Sequence, residues 1–517
     1  MIHRAGPPGG ATVGLGMGLW ALVGLKLALH LLALRHDDWF RDEFYYLACS
    51  YRLDWSYVDH PAASIAFLTM LGGLRESLFT LRLVAAVLGC ATLVFVARLT
   101  RSLGGNRVAQ ALATATILFS PGFLALNSFY SMNAWEPLLW LAAGLIWVKL
   151  AERAQSYLWL LLAVVFAVGL HNKLSMMWFA FPSLALAFFL YRRRADMRVG
   201  VGGVTLAFFI ALGPILWWQS KHGWPTIEFM ANATRMKMLP TSPAEFWLSQ
   251  LLVFGPLAAL LAAIGALSAI FWRPLRDRGV VLGGSVLAIA ALMSVTQGVR
   301  AYYLAPAYAL AIPLGATFLS IIQLPKLWQY SLRAGVVLLL LVALLGLPLA
   351  LPILSPEATL RYQAMLALSV PHEERFGASE LPQHLADRHG WQDLAASVAR
   401  AVELLPADIR SEVTVVAANY GEAGALEFYR DAYGLPQRIA SPHNHYWFWA
   451  QPETWGEHFL TVGFAQDALT LFCAEVRELA RVNCQWCREG ERGALVAYCR
   501  YGGSDLKVDW GRLRRFL

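Results

Sequence analysis

Charge is what this sequence lacks. Only 15% of its 517 residues are Asp, Glu, Lys or Arg, against about a quarter in an ordinary soluble domain. With 58% hydrophobic residues, so little charge argues against a string of soluble domains and for a chain that lives largely in lipid. A nucleic-acid footprint is missing too. The net charge is +8, but Lys and Arg lie mostly in short loops between apolar blocks, where orientation in a bilayer accounts for them. There is no internal repeat and no low-complexity stretch. The short N-terminus, Met1 to Gly10 with Arg4, precedes an apolar block at 11–34 that no small-residue cleavage site follows. That block reads as an uncleaved first span rather than a removed signal.

What is present is a succession of apolar runs. A span needs roughly 20 apolar residues, and by that rule about eleven candidates fit: 11–34, 78–100, 108–127, 132–150, 157–171, 174–191, 200–219, 248–271, 280–297, 303–322 and 333–354. The fifth is short, so the pair around His171-Asn172-Lys173 suits a tight hairpin. Alternate loops carry Arg101 and Arg107, Arg153, Arg192 to Arg194 with Arg198, Arg273 with Arg276 and Arg278, and Lys326 with Arg333. These form one cytoplasmic set. The N-terminus then lies inside, and an odd span count puts the tail outside.

The division predicted is residues 1–355 in the membrane, with a first outer loop at 35–77, and 356–517 as a soluble extracytoplasmic α/β domain. In the tail, Glu412–Ala418, His458–Phe464 and Ala494–Tyr498 read as strands. Ala425 to Tyr433 and Leu469 to Arg481 read as helices. Four of the six cysteines, Cys473, Cys484, Cys487 and Cys499, fall there, where disulfides persist. Cys484-Gln-Trp-Cys487 has no second such pair nearby, which favours structural thiols or a disulfide over a metal. Asn-Tyr-Gly-Glu-Ala-Gly follows a strand but is not Gly-x-Gly-x-x-Gly; Gly421 and Gly424 suit a strand-to-helix turn. His443, His445, Tyr446, Trp447 and Trp449 suit either sugar stacking or a membrane-resting edge.

The residues that can carry chemistry gather on the outer side. Arg-Asp-Glu-Phe-Tyr-Tyr in the first loop places Asp42 and Glu43 at the start of a short amphipathic helix, with Phe44, Tyr45 and Tyr46 free to lie at the lipid interface. A pair of acids there is either ordinary N-terminal chemistry or a catalytic base. Asp59-His60-Pro61 opens the next apolar stretch. Glu136, before Pro137, sits at the mouth of the fourth span with Asn133 three residues earlier, as a cap or as a functional acid. Lys173 beside Asn172, Lys221 with His222, and Arg300 before Tyr302, Tyr303 and Pro306 are cations where translocated loops disfavour them. Snorkelling to headgroups explains them; so does an outer phosphate, which Arg binds well.

Taken in order, the early Asp-Glu before aromatics, the Asp-His-Pro, the Glu-Pro at the fourth span and the Arg-x-Tyr-Tyr-x-x-Pro resemble a known group. It is that of the protein O-mannosyltransferases and lipid A aminoarabinose transferases, family 39 and its relatives, of GT-C fold. The likeness covers roughly residues 35–310, and the tail looks like that of bacterial members. It implies a mainly α polytopic bundle with a C-terminal α/β domain. It also implies a glycosyltransferase that moves a sugar from a polyprenyl-phosphate donor to an envelope lipid A, glycan, lipid or protein acceptor at the inner membrane.

Asp42 matches the group's first-loop acid, with Glu43 beside it, and Glu136 a second acid, usually Asp. His60 stands where the aminoarabinose enzymes have a Lys tied to the donor phosphate, so that duty is expected to pass to Lys173 or Arg300, with Tyr302 and His60 near. Tyr45, Asp59, Asn133 and Asn172 are expected to position acceptor or sugar. No cofactor is required and no metal ligand is assigned, although two separated carboxylates permit a divalent cation. The rivals are a transporter or flippase of envelope precursors and a non-catalytic assembly protein that works through its tail.

Overall fold

The computed structural model describes residues 16–367, 374–375 and 379–517. The expected N-terminal tail, Met1 to Gly10 with Arg4, and the first residues of the 11–34 block lie outside the described residues. All eleven expected segments are helical. In chain order the helices that build the bundle and its first loop are α1 (Met17–Ala33), α2 (Arg41–Tyr51), α3 (Leu78–Ser102), α4 (Arg107–Phe119), α5 (Met132–Glu152), α6 (Ser156–Asn172) and α7 (Met176–Leu190). They continue with α8 (Ala195–Lys221), α9 (Pro243–Val253), α10 (Pro256–Phe271), α11 (Arg273–Val295), α12 (Ala305–Ile321) and α13 (Lys326–Leu345).

Among the described residues seven helices are long and apolar enough to cross a membrane, and the α9–α10 pair makes up to eight; α4, α6 and α7 are shorter apolar helices. The breaks have local causes. Phe254-Gly255-Pro256 bends α9 from α10 by 115°, with Gly255 at φ +86° and Pro256 unable to continue a helix hydrogen-bond ladder. The expected third span stops at Phe119 because Pro121 starts a fresh turn at Pro121–Leu126.

The bundle packs by close approach of small residues, as lipid-embedded helices do. A Cβ on Gly265 would lie 2.2 Å from the Ala311 carbonyl, and one on Gly315 would lie 2.1 Å from that of Leu261. The α10–α12 seam therefore tolerates only glycine at those two positions. The hairpin expected at His171–Lys173 is present, with α6 ending at Asn172 and α7 starting at Met176. Arg278 reaches Glu152 at 3.0 Å and the Ser102 carbonyl at 3.4 Å. The basic loops after α3, α5 and α10 thus share one end of the bundle.

At the other end the chain after residue 356 builds α14 (Trp391–Glu403), β1 (Thr414–Ala417), α15 (Tyr420–Tyr433), β2 (Ile439–Ala440), β3 (His458–Val462), β4 (Cys473–Arg481) and β5 (Leu495–Tyr501). The sheet order is β2-β1-β3-β5-β4. β1 runs parallel to β2 and β3, whereas β5 is antiparallel to both β3 and β4. The stretch read as a helix at Leu469–Arg481 is mostly β4. Ala, Glu, Leu and Arg favour helix locally, but pairing with β5 through two register shifts wins, aided by a disulfide from Cys473 to Cys499. Cys484 and Cys487 form the second disulfide.

One apolar core joins this layer to the first loop. Phe44 does not face lipid as expected; it meets Trp391, Phe428 and Tyr429, while Tyr45 lies against Tyr420. The reason is glycine. A Cβ on Gly424 would sit 2.8 Å from the Phe44 Cβ and 3.0 Å from its carbonyl carbon, and one on Gly421 would sit 2.6 Å from Arg41. Beyond any turn, these two residues let α15 lie directly on α2. Gly424→Ala is expected to push the helices apart and cost about 1–3 kcal/mol, read as a fall in thermal unfolding temperature in detergent.

Candidate active site

The two adjacent acids of the first loop do different things. Consecutive residues on a helix point about 100° apart, and here that separates a lock from an open carboxylate. Glu43 is fully buried. One of its oxygens accepts from the Phe40 amide at 2.9 Å; the other accepts from the Tyr130 amide at 2.8 Å and from Arg82. All its capacity goes into fixing the start of α2. Asp42 is half-buried, and its Oδ1 accepts from the Tyr420 hydroxyl at 2.7 Å. Tyr420 opens α15, so the C-terminal layer itself orients this carboxylate.

Arg82 also donates to Asp37 at 2.5 Å and to the Asp38 carbonyl at 2.6 Å. Asp37 is shared with Arg388, which is wholly buried and donates to Ser128 Oγ at 2.7 Å. Burial pushes the Asp37 carboxyl up, but Arg388 and Arg82 hold it below its ordinary value. Neither Arg82 nor Arg388 was expected from the sequence. An Arg inside the apolar run of α3 was the available signal, because a cation in a span needs a partner.

Beyond Asp42, the Tyr45 hydroxyl donates to Asp59 at 2.9 Å, and Asn444 reaches the other Asp59 oxygen at 3.4 Å. Burial pushes the Asp59 carboxyl upward. His60 stacks on Tyr46 with 4.9 Å between ring centres, and its buried Nε2 has no hydrogen-bond partner among the described residues. The structure groups His60 with Tyr45, Tyr46 and Tyr57 rather than with the cations of a phosphate site. Nearby, burial together with His60 and His222 takes His445 down to about 3, so it is a neutral ring.

The second acid lies along the same wall. The Tyr46 hydroxyl, one turn beyond Asp42, accepts from the Met132 amide at 3.3 Å, and Asn172 donates to the Met132 carbonyl at 2.9 Å. Lys173 then bridges Glu136 at 2.8 Å and Asn133 at 2.9 Å, with Ser175 on the other Glu136 oxygen. Its ammonium sits 5.1 Å from the Tyr303 ring centre and 6.0 Å from that of Tyr302. Arg300, also 6.0 Å from the Tyr302 ring, is paired with Glu374 of the tail. Lys221 is exposed and His222 stacks on Trp218 at 4.1 Å; neither joins the set.

Among the described residues no group of three His, Cys, Asp or Glu side chains is placed to hold a metal ion.

A buried carboxyl, Glu422, lies behind the site. Burial, with Glu491 adding to it, pushes Glu422 up to about 8 from 4.5. The folded chain therefore keeps a proton that the unfolded chain releases above 4.5, and stability falls as pH rises towards 8. Glu422→Gln is expected to remove that slope, which thermal unfolding at pH 5.5 and 8 measures directly.

Residues 59–218 match the family model described as dolichyl-phosphate-mannose-protein mannosyltransferase. Among solved structures, ArnT from Cupriavidus metallidurans bound to undecaprenyl phosphate superposes with a TM-score of 0.59 at 13% identity, covering 93% of this chain and 97% of that one. This chain has the GT-C fold. The Archaeoglobus fulgidus oligosaccharyltransferase tethered to an acceptor peptide is similar over 81% of this GT-C chain and 64% of its own length, with a TM-score of 0.50 at 13% identity. No curated protein matches. The GT-C architecture expected from the ordered motifs is therefore present.

Proposed function

We propose that this GT-C-fold chain is a glycosyltransferase, and that it moves a single sugar from a polyprenyl-phosphate donor to a hydroxyl of an envelope glycan, lipid or protein. In this reading the site faces the outside of a bacterial inner membrane, with residues 1–355 as the membrane transferase and 356–517 as an extracytoplasmic layer over it. The observation that carries it is the half-buried Asp42 carboxylate, oriented by Tyr420, at the end of the bundle opposite the basic loops. Lys173 and Arg300 come to that same end. The bilayer-inside preference for basic loops supports the orientation.

The chemistry asks little else. A polyprenyl phosphate leaves as a stable anion, so it needs cations rather than a proton donor. An acceptor hydroxyl has a high pKa and needs a carboxylate base within hydrogen-bond reach. The acceptor oxygen attacks the anomeric carbon and gives its proton to Asp42. The carbon–oxygen bond to phosphate breaks with its electron pair going to the phosphate, and configuration inverts. Lys173 and Arg300 stabilise the charge that develops there. Glu136 holds Lys173 in place, and Asn133, Asn172, Tyr45 and Asp59 line the approach for sugar and acceptor.

The test compares envelope lipids, glycans and proteins by mass spectrometry from cells with and without this protein. A mass increment of one sugar, lost with the protein and restored by the wild-type gene, identifies sugar and acceptor together. Identical spectra in all three fractions would sink the reading.

A further inference from the structure

Residues 222–242 join α8 to α9. Gly223 and Trp224 both sit in the left-handed region, at φ +74° and +60°. Pro225 then opens a helix over Pro225–Asn232 that runs into a single π-helical turn, Ala233–Lys237. A tryptophan is strained in that region and stays there only where its surroundings hold it. One side of the stretch is fastened to the protein. The Thr226 hydroxyl donates to the Val58 carbonyl at 2.7 Å, next to Asp59 in the chain. Asn232 donates to the Phe516 carbonyl at 3.0 Å, and the Lys237 carbonyl accepts from the Arg375 amide at 2.9 Å. Pro225 and Ala233 are buried.

The other side is apolar and bare. Trp224 is 44% exposed, Ile227 62% and Met230 57%, with Met236 and Leu239 exposed beyond them. Residues 227, 230, 231 and 234 fall at helical spacing on one face, and all four are exposed. Single exposed apolar side chains are ordinary, but a contiguous stripe marks a surface that something covers. Continuity says what covers it. In sequence the stripe carries on from Leu216 and Trp217 of α8 and leads to Trp247, Leu248, Leu251 and Leu252 of α9, all exposed. Those helices belong to membrane-crossing segments, so these side chains already face lipid. Trp217, Trp224 and Trp247 are half-exposed tryptophans, the residue that gathers where acyl chains meet headgroups. Lys221 and Arg235 are exposed in the same stretch, within a long side chain's reach of headgroup phosphates.

We infer that residues 224–236 are a strap seated in the outer leaflet: the apolar stripe lies where acyl chains meet headgroups, and the fastened side carries that depth to the first loop and the tail. The stripe's occupant is the bilayer itself. An amphipathic helix of this kind sinks its apolar face about 5–10 Å into the boundary. Through Val58 the strap sets the height of Asp59, and through Phe516 and Arg375 that of the C-terminal layer over Asp42. A lipid-linked phosphate is confined to the same boundary. Site and donor are then held at one level, which is the part of orientation that a membrane can supply. This link to transfer, and the choice of leaflet, rest on the transferase reading above; the seating of the strap in lipid does not.

The experiment places a spin label at Ile227→Cys or Met230→Cys in the full chain, reconstituted in vesicles of phosphatidylcholine and phosphatidylglycerol. Collision with oxygen, which favours lipid, is compared with collision with a water-soluble nickel chelate. Asp431→Cys, at an exposed position on α15, is the aqueous control, and Leu338→Cys on α13 is the acyl-chain control. The native chain, with Cys49 and Cys90 free, gives the background. Both strap labels should meet nickel at least several-fold less than position 431 and more than position 338. Nickel access equal to that at 431 overturns the inference. Shielding from oxygen and nickel alike overturns it too, because protein would then cover the stripe. The double variant Ile227→Glu, Met230→Glu should keep its unfolding temperature in detergent, while the sugar increment it restores in cells falls at least several-fold. An increment as large as the wild type's overturns the strap's link to the site. No increment from the wild-type chain sinks the transferase reading, and the depth measurement still decides the strap.

Discussion

An Asp42→Asn chain is expected to insert and fold normally and to lose sugar transfer by about 10²–10⁴-fold, the usual worth of a positioned general base. The substitution keeps shape and leaves an oxygen for the Tyr420 hydroxyl, which now bonds Oδ1 at 2.7 Å. What disappears is the group that takes the acceptor's proton. The comparison that isolates chemistry from folding is Glu43→Gln. Glu43 is buried with Arg82 and two backbone amides on its oxygens, so its loss should lower the unfolding temperature first and activity only through the fold. Tyr420→Phe is the third arm: it frees the Asp42 carboxylate to rotate and should reduce kcat while donor KM stays put. Transfer rates on a lipid-linked sugar donor, taken beside thermal unfolding, separate the three. Full activity in Asp42→Asn ends its assignment as base.

That contrast also marks what could be read from the sequence. The apolar runs, the aromatic-flanked acids, the Glu before Pro137 and the Arg before Tyr302 and Tyr303 are local patterns. They led to a GT-C bundle and to the end where its chemistry gathers. Asp42 and Glu43 are indistinguishable as letters; a 100° turn of the helix and the distant partners Tyr130, Arg82 and Tyr420 separate them. His60 reads as a polar loop residue but is claimed by three tyrosines. β4 carries helix formers and is a strand because β5 and a disulfide hold it. Phe44 and Tyr45 looked like lipid-facing aromatics because nothing local announces that α15 covers them. Glu374 sits in a run of mixed polar residues with no motif at all. Apart from His60, whose tyrosines are close in sequence, the deciding partner lies well along the chain.

The longest of these connections carries the second large prediction. Arg388 lies 351 positions from Asp37, whose carboxylate it shares with Arg82. It is wholly enclosed, bonding Ser128 Oγ at 2.7 Å and the His384 carbonyl at 3.1 Å. Arg388→Met fits the space but leaves Asp37 with one guanidinium in place of two, and breaking such a buried pair costs about 3–5 kcal/mol. The loss should not stay local. Asp37, Arg82 and Glu43 together hold the start of α2, and Asp42 rides on that start, so kcat is expected to fall along with the unfolding temperature. Limited proteolysis should cut the tail free faster, since one of the ties between the C-terminal layer and the first loop is gone. Asp37→Asn should cost about as much, and the double variant less than the sum, because the residues act as one network. An Arg388→Met chain with native stability and native transfer would mean that the aromatic packing on α2 alone seats the layer. The site's geometry would then owe nothing to the Asp37 bridge.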